Sequence, residues 1–377
     1  MHEFFPGDYM RSFIVCVSLS CGGIVDEIDR IVKNMKGQEE DNQAWHREWS
    51  AMASHVEEIG AIATGQGNNF TAASAYFRAC NYYTYSERLL PATDEKKIPT
   101  YKKALECFSV AIACRNELNL ERVEVPYEGK NLPGYFVKPS GPPARRPVII
   151  FVGGLDSTKE SQYFMAAKQI VERGMACLIV DMPGMGEALR LRGIHSRFDY
   201  EVPGKALVDY LETRPDIDPR RIGLVGLSMG GYYAPRIAAF EKRIAACAAW
   251  AGHGDYYPIW LERLRKKEGI GRFRPSPRFQ IFWVLGVQTE EEVLEKMKKF
   301  TIEKEAGQIT CPFLITHGGG DRQTPPHEAE KLFLAVGSKD KNIRIFAPEE
   351  GGCEHCHFDN IELGRSYILD WFEKKLA

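Results

Sequence analysis

Gly226-Leu227-Ser228-Met229-Gly230-Gly231 sets a serine hydroxyl between glycines two residues before and two after it. The run follows an apolar stretch ending at Val225 and precedes a helix-compatible stretch through Ala239, the strand, serine and helix setting of a nucleophile elbow. In so tight a turn the flanking positions must be nearly free of side chain, and glycine at 226 and 230 meets that demand. Ser228 then projects above a sheet, with the N-terminal end of the next helix turned toward the negative charge that its attack creates. An oxyanion site needs two N–H donors. One is the residue after the nucleophile, Met229; the other comes from Phe151-Val152-Gly153-Gly154-Leu155-Asp156, the loop after an earlier core strand, through Gly154 or Leu155.

A serine hydroxyl is a weak nucleophile at neutral pH, so a base must take its proton and a carboxylate must orient that base. In this arrangement the chain order is serine, acid, histidine. The strand-like run Phe313 to Thr316 leads into His317-Gly318-Gly319-Gly320-Asp321, and Asp321 stands where the orienting acid is expected. The base lies downstream. Gly351-Gly352-Cys353-Glu354-His355-Cys356-His357-Phe358-Asp359 offers His355 and His357, and spacing does not choose between them; His327, two residues after Pro325 at a helix start, reads as a surface residue. The C-x-x-C with two histidines suggests zinc, but no second ligand pair occurs elsewhere, so no metal is expected. Asp181 and Glu187, in the loop Asp181-Met182-Pro183-Gly184-Met185-Gly186-Glu187, read as structural residues beside the pocket. Glu262 is the candidate for an additional acid near a leaving group, the alternative being a solvated helix face.

The elements that must position these groups change character near residue 120. Before it the period is helical: Trp45, Trp49, Met52, Val56 and Ile59 recur at spacings of three and four, as do Ala72, Ala75, Tyr76, Ala79, Tyr82 and Tyr83. From Leu120 it shifts toward strands. Arg122 to Tyr127 and Leu132 to Val137 read as a hairpin around Glu128 to Asn131. After a Pro-rich loop at Ser140 to Pro147, apolar runs (Val148 to Val152, Ala176 to Val180, Ile222 to Gly226) alternate with helical stretches (Tyr163 to Glu172, Lys205 to Glu212). That is the rhythm of a parallel sheet buried on both faces. Further strands fit Ile244 to Trp250, Phe313 to Thr316 and Ile343 to Phe346, and Ile361 to Lys375 closes the chain as a helix. The predicted fold is α/β: a mostly parallel, doubly wound sheet. Its parts are a helical N-terminal domain (1–120), a first core segment (121–254), an inserted helical cap rich in aromatics such as Trp260, Phe273 and Trp283 (255–306), and a second core segment (307–377). The ligand belongs at the carboxyl ends of the strands.

The 377 residues are 44% hydrophobic and 27% charged, which excludes disorder and fibrous designs. Lys plus Arg against Asp plus Glu is 49 − 51 = −2, and no basic run exceeds Arg263 to Lys267. That leaves no electrostatic footprint for nucleic acid or an anionic membrane, and points to a small neutral or weakly charged partner. Ten cysteines are scattered, several within apolar runs, as expected of reduced core residues in a cytoplasmic protein. Phe13 to Val25 has the apolarity of a signal-peptide core, but Glu3 and Asp8 precede it and it is too short to span a bilayer. It reads as an element packed in the N-terminal domain or as the contact of a homodimer. The sequon at Asn69 carries no consequence in the cytoplasm.

With GGLDSTKE from Gly153 to Glu160, the loop from Asp181 to Glu187, Gly226 to Gly231 and IAACAAWAG from Ile244 to Gly252, the chain resembles a family of α/β-hydrolases. Its members are the 2,6-dihydroxypseudooxynicotine hydrolase and the fungal polyketide-shortening hydrolases. The resemblance runs from about Trp45 onward and is tightest from 150 to 255. It implies an N-terminal helical region that helps to roof the active site. It also implies hydrolysis of a carbon–carbon bond next to a ketone by a serine, aspartate, histidine triad without a cofactor, on a small aromatic ketone or polyketide-like substrate. The family's catalytic histidine is followed directly by cysteine, which favours His355 of His355-Cys356, and a cap glutamate implicates Glu262. The alternatives are a carboxylesterase, lactonase or amidase using the same triad, and a binding protein on a hydrolase fold.

Overall fold

A computed structural model describes residues 1–115, 118–141, 145–265 and 278–377. Phe273, the Lys266–Lys267 end of the basic run and the middle of the expected cap lie outside the described residues. The described residues divide into two compact units, 1–119 with 278–280 on one hand and 120–265 with 281–377 on the other.

The first unit is helical: α1 (Tyr9–Ser20), α2 (Val25–Asn34), α3 (Asn42–Gly65), α4 (Asn69–Ser86) and α5 (Lys97–Ala113). The periodic aromatics fall on α3 and α4 and form its core, with Trp45 stacked on Trp49 at 5.0 Å and its indole N–H donating 2.8 Å to the Tyr85 carbonyl. The apolar run after Arg11 is α1 and the turn that follows. Ile14, Val15, Cys16 and Val17 are buried, and the Asn81 side-chain amide donates to the Ser18 carbonyl at 2.8 Å. Lys97 and Glu87 form a fully buried ion pair. No described helix is long and apolar enough to cross a membrane.

The second unit is an eight-stranded sheet in the order β1-β2-β4-β3-β5-β6-β7-β8. Its strands are β1 (Leu120–Tyr127), β2 (Lys130–Val137), β3 (Arg146–Val152), β4 (Ala176–Val180), β5 (Ile217–Leu227), β6 (Ile244–Trp250), β7 (Phe313–Gly318) and β8 (Lys341–Phe346). The hairpin β1–β2 and its junction with β4 are antiparallel, and every other pairing is parallel. The hairpin turn is Glu128-Gly129, both at positive φ (43° and 74°), the handedness that matches strand twist. In β1, Val123, Val125 and Tyr127 are buried in alternation with exposed neighbours, whereas β3 and β4 are apolar along their length because helices cover both faces. Lys341, Asn342 and Arg344 punctuate the edge strand β8.

Between strands run α6 (Lys159–Gln162), a π-helical turn (Tyr163–Ala167), α7 (Lys168–Glu172), α8 (Gly186–Arg190), α9 (Glu201–Glu212) and α10 (Gly230–Phe240). After β6 come α11 (Tyr257–Arg265), α12 (Arg278–Leu285) and α13 (Glu290–Met297), then α14 (Pro326–Ala335) and α15 (Ile361–Lys375). Several boundaries differ from expectation, α9 for instance beginning four residues early at Glu201; three differences bear on the site. The helix placed at Tyr163 begins at Lys159, where the Thr158 hydroxyl caps the Ser161 N–H. β5 begins five residues early, at the buried Ile217 and Asp218. The loop from Asp181 closes into α8 at its glycine, because Gly186 takes φ 37° against the Asp181 carboxylate, where a Cβ has no room.

Candidate active site

Ser228 sits between β5 and α10 at φ 60°, a conformation that non-glycine residues avoid. The turn around it closes through Gly231 N–H to the Ser228 carbonyl (2.7 Å) and Ser228 N–H to the Trp250 carbonyl (2.9 Å). Its glycines are there for lack of space. A Cβ on Gly226 collides with the Gly230 carbonyl, and one on Gly230 falls 2.7 Å from the Gly153 oxygen. On the other side, a Cβ on Gly154 falls 2.7 Å from the Ser228 Cβ and 3.2 Å from its Oγ, so the loop after β3 passes directly against the serine side chain. The N–H groups of Met229 and Gly154 donate to no other backbone group among the described residues.

The histidine loop after β8 folds back with Cys356 and His357 both at positive φ (53° and 61°), and this turns the two histidines in different directions. His355 Nδ1–H donates to Asp321 Oδ2 at 2.7 Å, which leaves Nε2 as the acceptor for the Ser228 hydroxyl at 2.7 Å. His357 is off this line. Its Nδ1–H donates to the Gly352 carbonyl at 2.5 Å, and its ring lies against Phe346 (4.7 Å) and Trp250 (6.1 Å). His327 is exposed on α14 beside Glu328. Glu262, the candidate extra acid, lies exposed on α11, two residues from both Trp260 and Leu264, whose buried face it opposes. The structure does not bring it into the Ser228–His355–Asp321 line.

Asp321 is buried beyond the end of β7. Its Oδ1 accepts the N–H groups of Gln323 (2.7 Å) and Thr324 (2.9 Å), and its Oδ2 faces His355. Burial alone would raise this carboxyl, but the facing His355, its hydrogen bond, His317 and the Thr324 N–H outweigh burial and hold it down at about 2. It is therefore a carboxylate at working pH.

Two further buried histidines surround this line, and the sequence reading passed over both. His317, at the end of β7, donates through Nε2 to the Thr324 carbonyl (2.9 Å) and lies 3.4 Å from Asp321 Oδ2, so it pins the turn that holds the acid. His253, just past β6, donates through Nδ1 to the Ala251 carbonyl (3.2 Å) and stacks on Tyr256 at 4.4 Å. The sequence signal for them is position: His317 is the next-to-last residue of β7 and His253 comes three residues after β6. Arg263 was seen only as part of a basic run. Its guanidinium covers the Trp260 ring (4.9 Å) and donates 2.6 Å to the carbonyl of Gln323, tying α11 to the acid turn. Asp181 is a structural residue: buried, it accepts Lys159 Nζ (2.9 Å) and the N–H groups of Lys159 (2.7 Å) and Glu187 (2.8 Å). Among the described residues no group of three or more His, Cys, Asp or Glu is arranged to hold a metal ion.

A mostly parallel sheet with a serine at a strained strand-to-helix turn, an acid after a later strand and a histidine after the last one defines an α/β-hydrolase. Comparison with known proteins agrees. The family described as esterase FrsA-like matches residues 29–253, and the prolyl oligopeptidase family matches residues 162–377. The hydrolyase poxO of Penicillium oxalicum is 28% identical, with 94% of each chain covered, and the 20-hydroxy-prefusarin hydrolase FUS2 of Gibberella moniliformis is 29% identical, with 89% of each covered. The crystal structure of the 2,6-dihydroxy-pseudo-oxynicotine hydrolase superposes with a TM-score of 0.81 at 26% identity, covering 96% of both chains. The chain belongs to the FrsA-like esterase family of α/β-hydrolases, and the resemblance read from its motifs is borne out. It is a hydrolase.

Proposed function

We propose that Ser228, His355 and Asp321 are nucleophile, base and orienting acid of a hydrolase that cleaves a carbon–carbon bond next to a ketone, in an aryl ketone or β-dicarbonyl of polyketide-like size. The observation that carries the triad is the unbroken line of two 2.7 Å hydrogen bonds from Ser228 Oγ through His355 to Asp321. Ser228 Oγ attacks the ketone carbonyl as His355 Nε2 takes its proton. The tetrahedral oxyanion rests on the N–H of Met229 and that of Gly154 or Leu155, each worth about 3 kcal/mol of barrier. Collapse breaks the carbon–carbon bond, and the departing carbanion or enolate takes the proton held by His355. Water, deprotonated in turn by His355, then releases the acyl group as an acid and restores Ser228. Asp321 stays ionised throughout and holds the imidazole in the required tautomer. Each step is served by the chain's own groups and water.

Likeness to the 2,6-dihydroxy-pseudo-oxynicotine hydrolase and to fungal hydrolases along most of the chain supports the carbon–carbon reading. Cysteine directly after the histidine, at Cys356, supports His355 as the base. The match to the FrsA-like esterase family supports a second reading, in which the same triad acts on an ester. The two readings differ in the leaving group, since an alkoxide departs with less help than a carbanion. Turnover of an aryl 1,3-diketone and an aryl ester of matched size, by wild type and Ser228→Ala, separates them. Diketone cleavage exceeding ester cleavage, with both lost in the variant, is expected; fast ester turnover without diketone cleavage overturns the carbon–carbon reading.

A further inference from the structure

Two motifs of the family resemblance, GGLDSTKE and the loop from Asp181 to Glu187, supply no group to the triad, yet the structure joins them at the oxyanion loop. Asp156 directly follows the candidate donors Gly154 and Leu155 and sits at φ 52°. Its carboxylate is fully buried and pairs with both terminal nitrogens of Arg190, with Nη2 donating to Oδ2 at 3.0 Å. Arg190 is the last residue of α8, and the Trp283 ring lies 5.2 Å from its guanidinium carbon. At the other end of the loop, Gly186 N–H donates to the Ser157 carbonyl (2.9 Å), and Lys159 Nζ, completely buried, meets Glu187 (3.1 Å), Asp181 (2.9 Å) and Glu160 (2.9 Å). One five-residue helix thus grips the oxyanion loop at Asp156, Ser157 and Lys159, with Glu187 and Arg190 three positions apart on one face.

Buried ion pairs seldom stabilise a fold more than well-packed apolar side chains do. What a bidentate pair does supply is a fixed direction and distance. Here that constraint acts on the residue next to the donors, which pass against the Ser228 side chain.

We propose that α8, through Arg190 on Asp156, positions the oxyanion site: it fixes the aim of the Gly154 and Leu155 N–H groups at the point where negative charge develops. Arg190 touches no reacting atom and is a positioning residue. The inference rests on the serine-hydrolase reading, and it predicts a transition-state defect without a substrate-binding defect.

The test compares wild type, Arg190→Gln and Arg190→Lys in aryl ester turnover, in affinity for an arylboronic acid, which forms an anionic tetrahedral adduct on the serine, and in thermal unfolding. In Arg190→Gln, kcat should fall about 10- to 100-fold, the scale of a donor displaced by about 1 Å, with boronate affinity falling in proportion and KM within about threefold. A folded Arg190→Gln with wild-type kcat and boronate affinity overturns the proposal, as does one in which KM alone rises. Should Arg190→Gln not fold, Arg190→Lys decides. It keeps the charge but cannot make both parallel hydrogen bonds, so a joint loss of kcat and boronate affinity supports the proposal and wild-type values overturn it. Labelling of wild-type Ser228 by a fluorophosphonate is the control. Its failure, with no boronate binding, overturns the serine-hydrolase reading and this inference together, whereas successful labelling with unaffected Arg190 variants overturns this inference alone.

Discussion

The indole N–H of Trp250 donates to the Cys356 carbonyl at 3.1 Å. Because the Trp250 carbonyl also accepts the Ser228 N–H at 2.9 Å, one buried residue at the end of β6 ties the Ser228 turn to the His355 turn. Cys356 and His357 hold positive φ, so the His355 loop is strained and depends on such ties. Trp250→Phe keeps most of the buried ring and removes the donor. Stability should fall by about 1–2 kcal/mol in urea unfolding, with kcat falling about tenfold as His355 loses its support. Wild-type turnover in the folded variant would show that the tie is dispensable.

Gly154 and Gly226 are predicted to fail in different ways. Alanine at 154 pushes a methyl to 2.7 Å from the Ser228 Cβ, so Gly154→Ala should remain folded while losing about 100-fold or more in kcat/KM, the scale of one oxyanion donor. Alanine at 226 drives into the Gly230 carbonyl and into Ala234 of α10, and should cost about 3 kcal/mol or prevent folding. Thermal unfolding beside turnover separates the two. Equal losses of stability would contradict this assignment.

For Asp321→Asn the geometry dictates a tautomer error. The amide oxygen can still accept from Gln323 and Thr324, which leaves an NH2 facing His355 Nδ1. That ring nitrogen must then accept, so Nε2 carries the proton and points it at Ser228, which can no longer be deprotonated. A loss of about 10⁴ in kcat with little change in KM is expected, as in the serine protease triad. A loss below about tenfold would remove Asp321 from the role of orienting acid.

Glu262→Gln tests the acid that the structure sets apart. Exposed on α11, away from the buried Trp260 and Leu264, it should leave kcat near wild type. A drop of tenfold or more in diketone turnover alone would return it to the mechanism.

Local pattern made the Ser228 turn, the Asp321 turn and the core strands legible, because a serine between obligatory glycines and fully apolar strands are properties of neighbouring residues. His355 and His357 could not be separated by pattern, since the choice depends on the two positive-φ residues of their turn and on which ring meets Asp321. Only the family's histidine-cysteine pairing pointed to His355. The charged network on Lys159 and Arg190 was illegible for a different reason. Its partners are Glu160, Asp181, Glu187 and Asp156, three of them more than twenty positions away in sequence and meeting only once β3 and β4 pair. His317 and His253 are illegible for the same reason: each is completely buried, and its hydrogen-bond partner, Thr324 or Ala251, is set by the loop it lies in.

Two buried histidines, His253 and His357, make stability fall in acid. Burial lowers His253 to about 3 and His357 to about 4 from an ordinary value of 6.5, so both are neutral in the folded protein at pH 5. Unfolded, each takes up a proton below about pH 6.5, and the unfolded state therefore binds more protons across this window. Stability must fall as pH falls, by up to about 1.4 kcal/mol per pH unit for each histidine. His357 stops contributing near pH 4 and His253 near pH 3. Asp321 acts in a lower window with the same sign: ionised in the fold down to about 2, it contributes stability that is fully present above its ordinary 3.8 and is lost as pH drops through 2. Burial raises Asp181 to about 6, so it titrates between pH 4.5 and 6.5 with the opposite sign, and the histidine term is read in urea unfolding as the difference between wild type and a histidine variant. His357→Asn keeps a donor for the Gly352 carbonyl but removes one titrating group, so the slope of stability against pH should drop by one proton's worth in that window. An unchanged slope would mean that His357 is protonated in the fold, and the ring packed against Phe346 would then have to carry a buried charge.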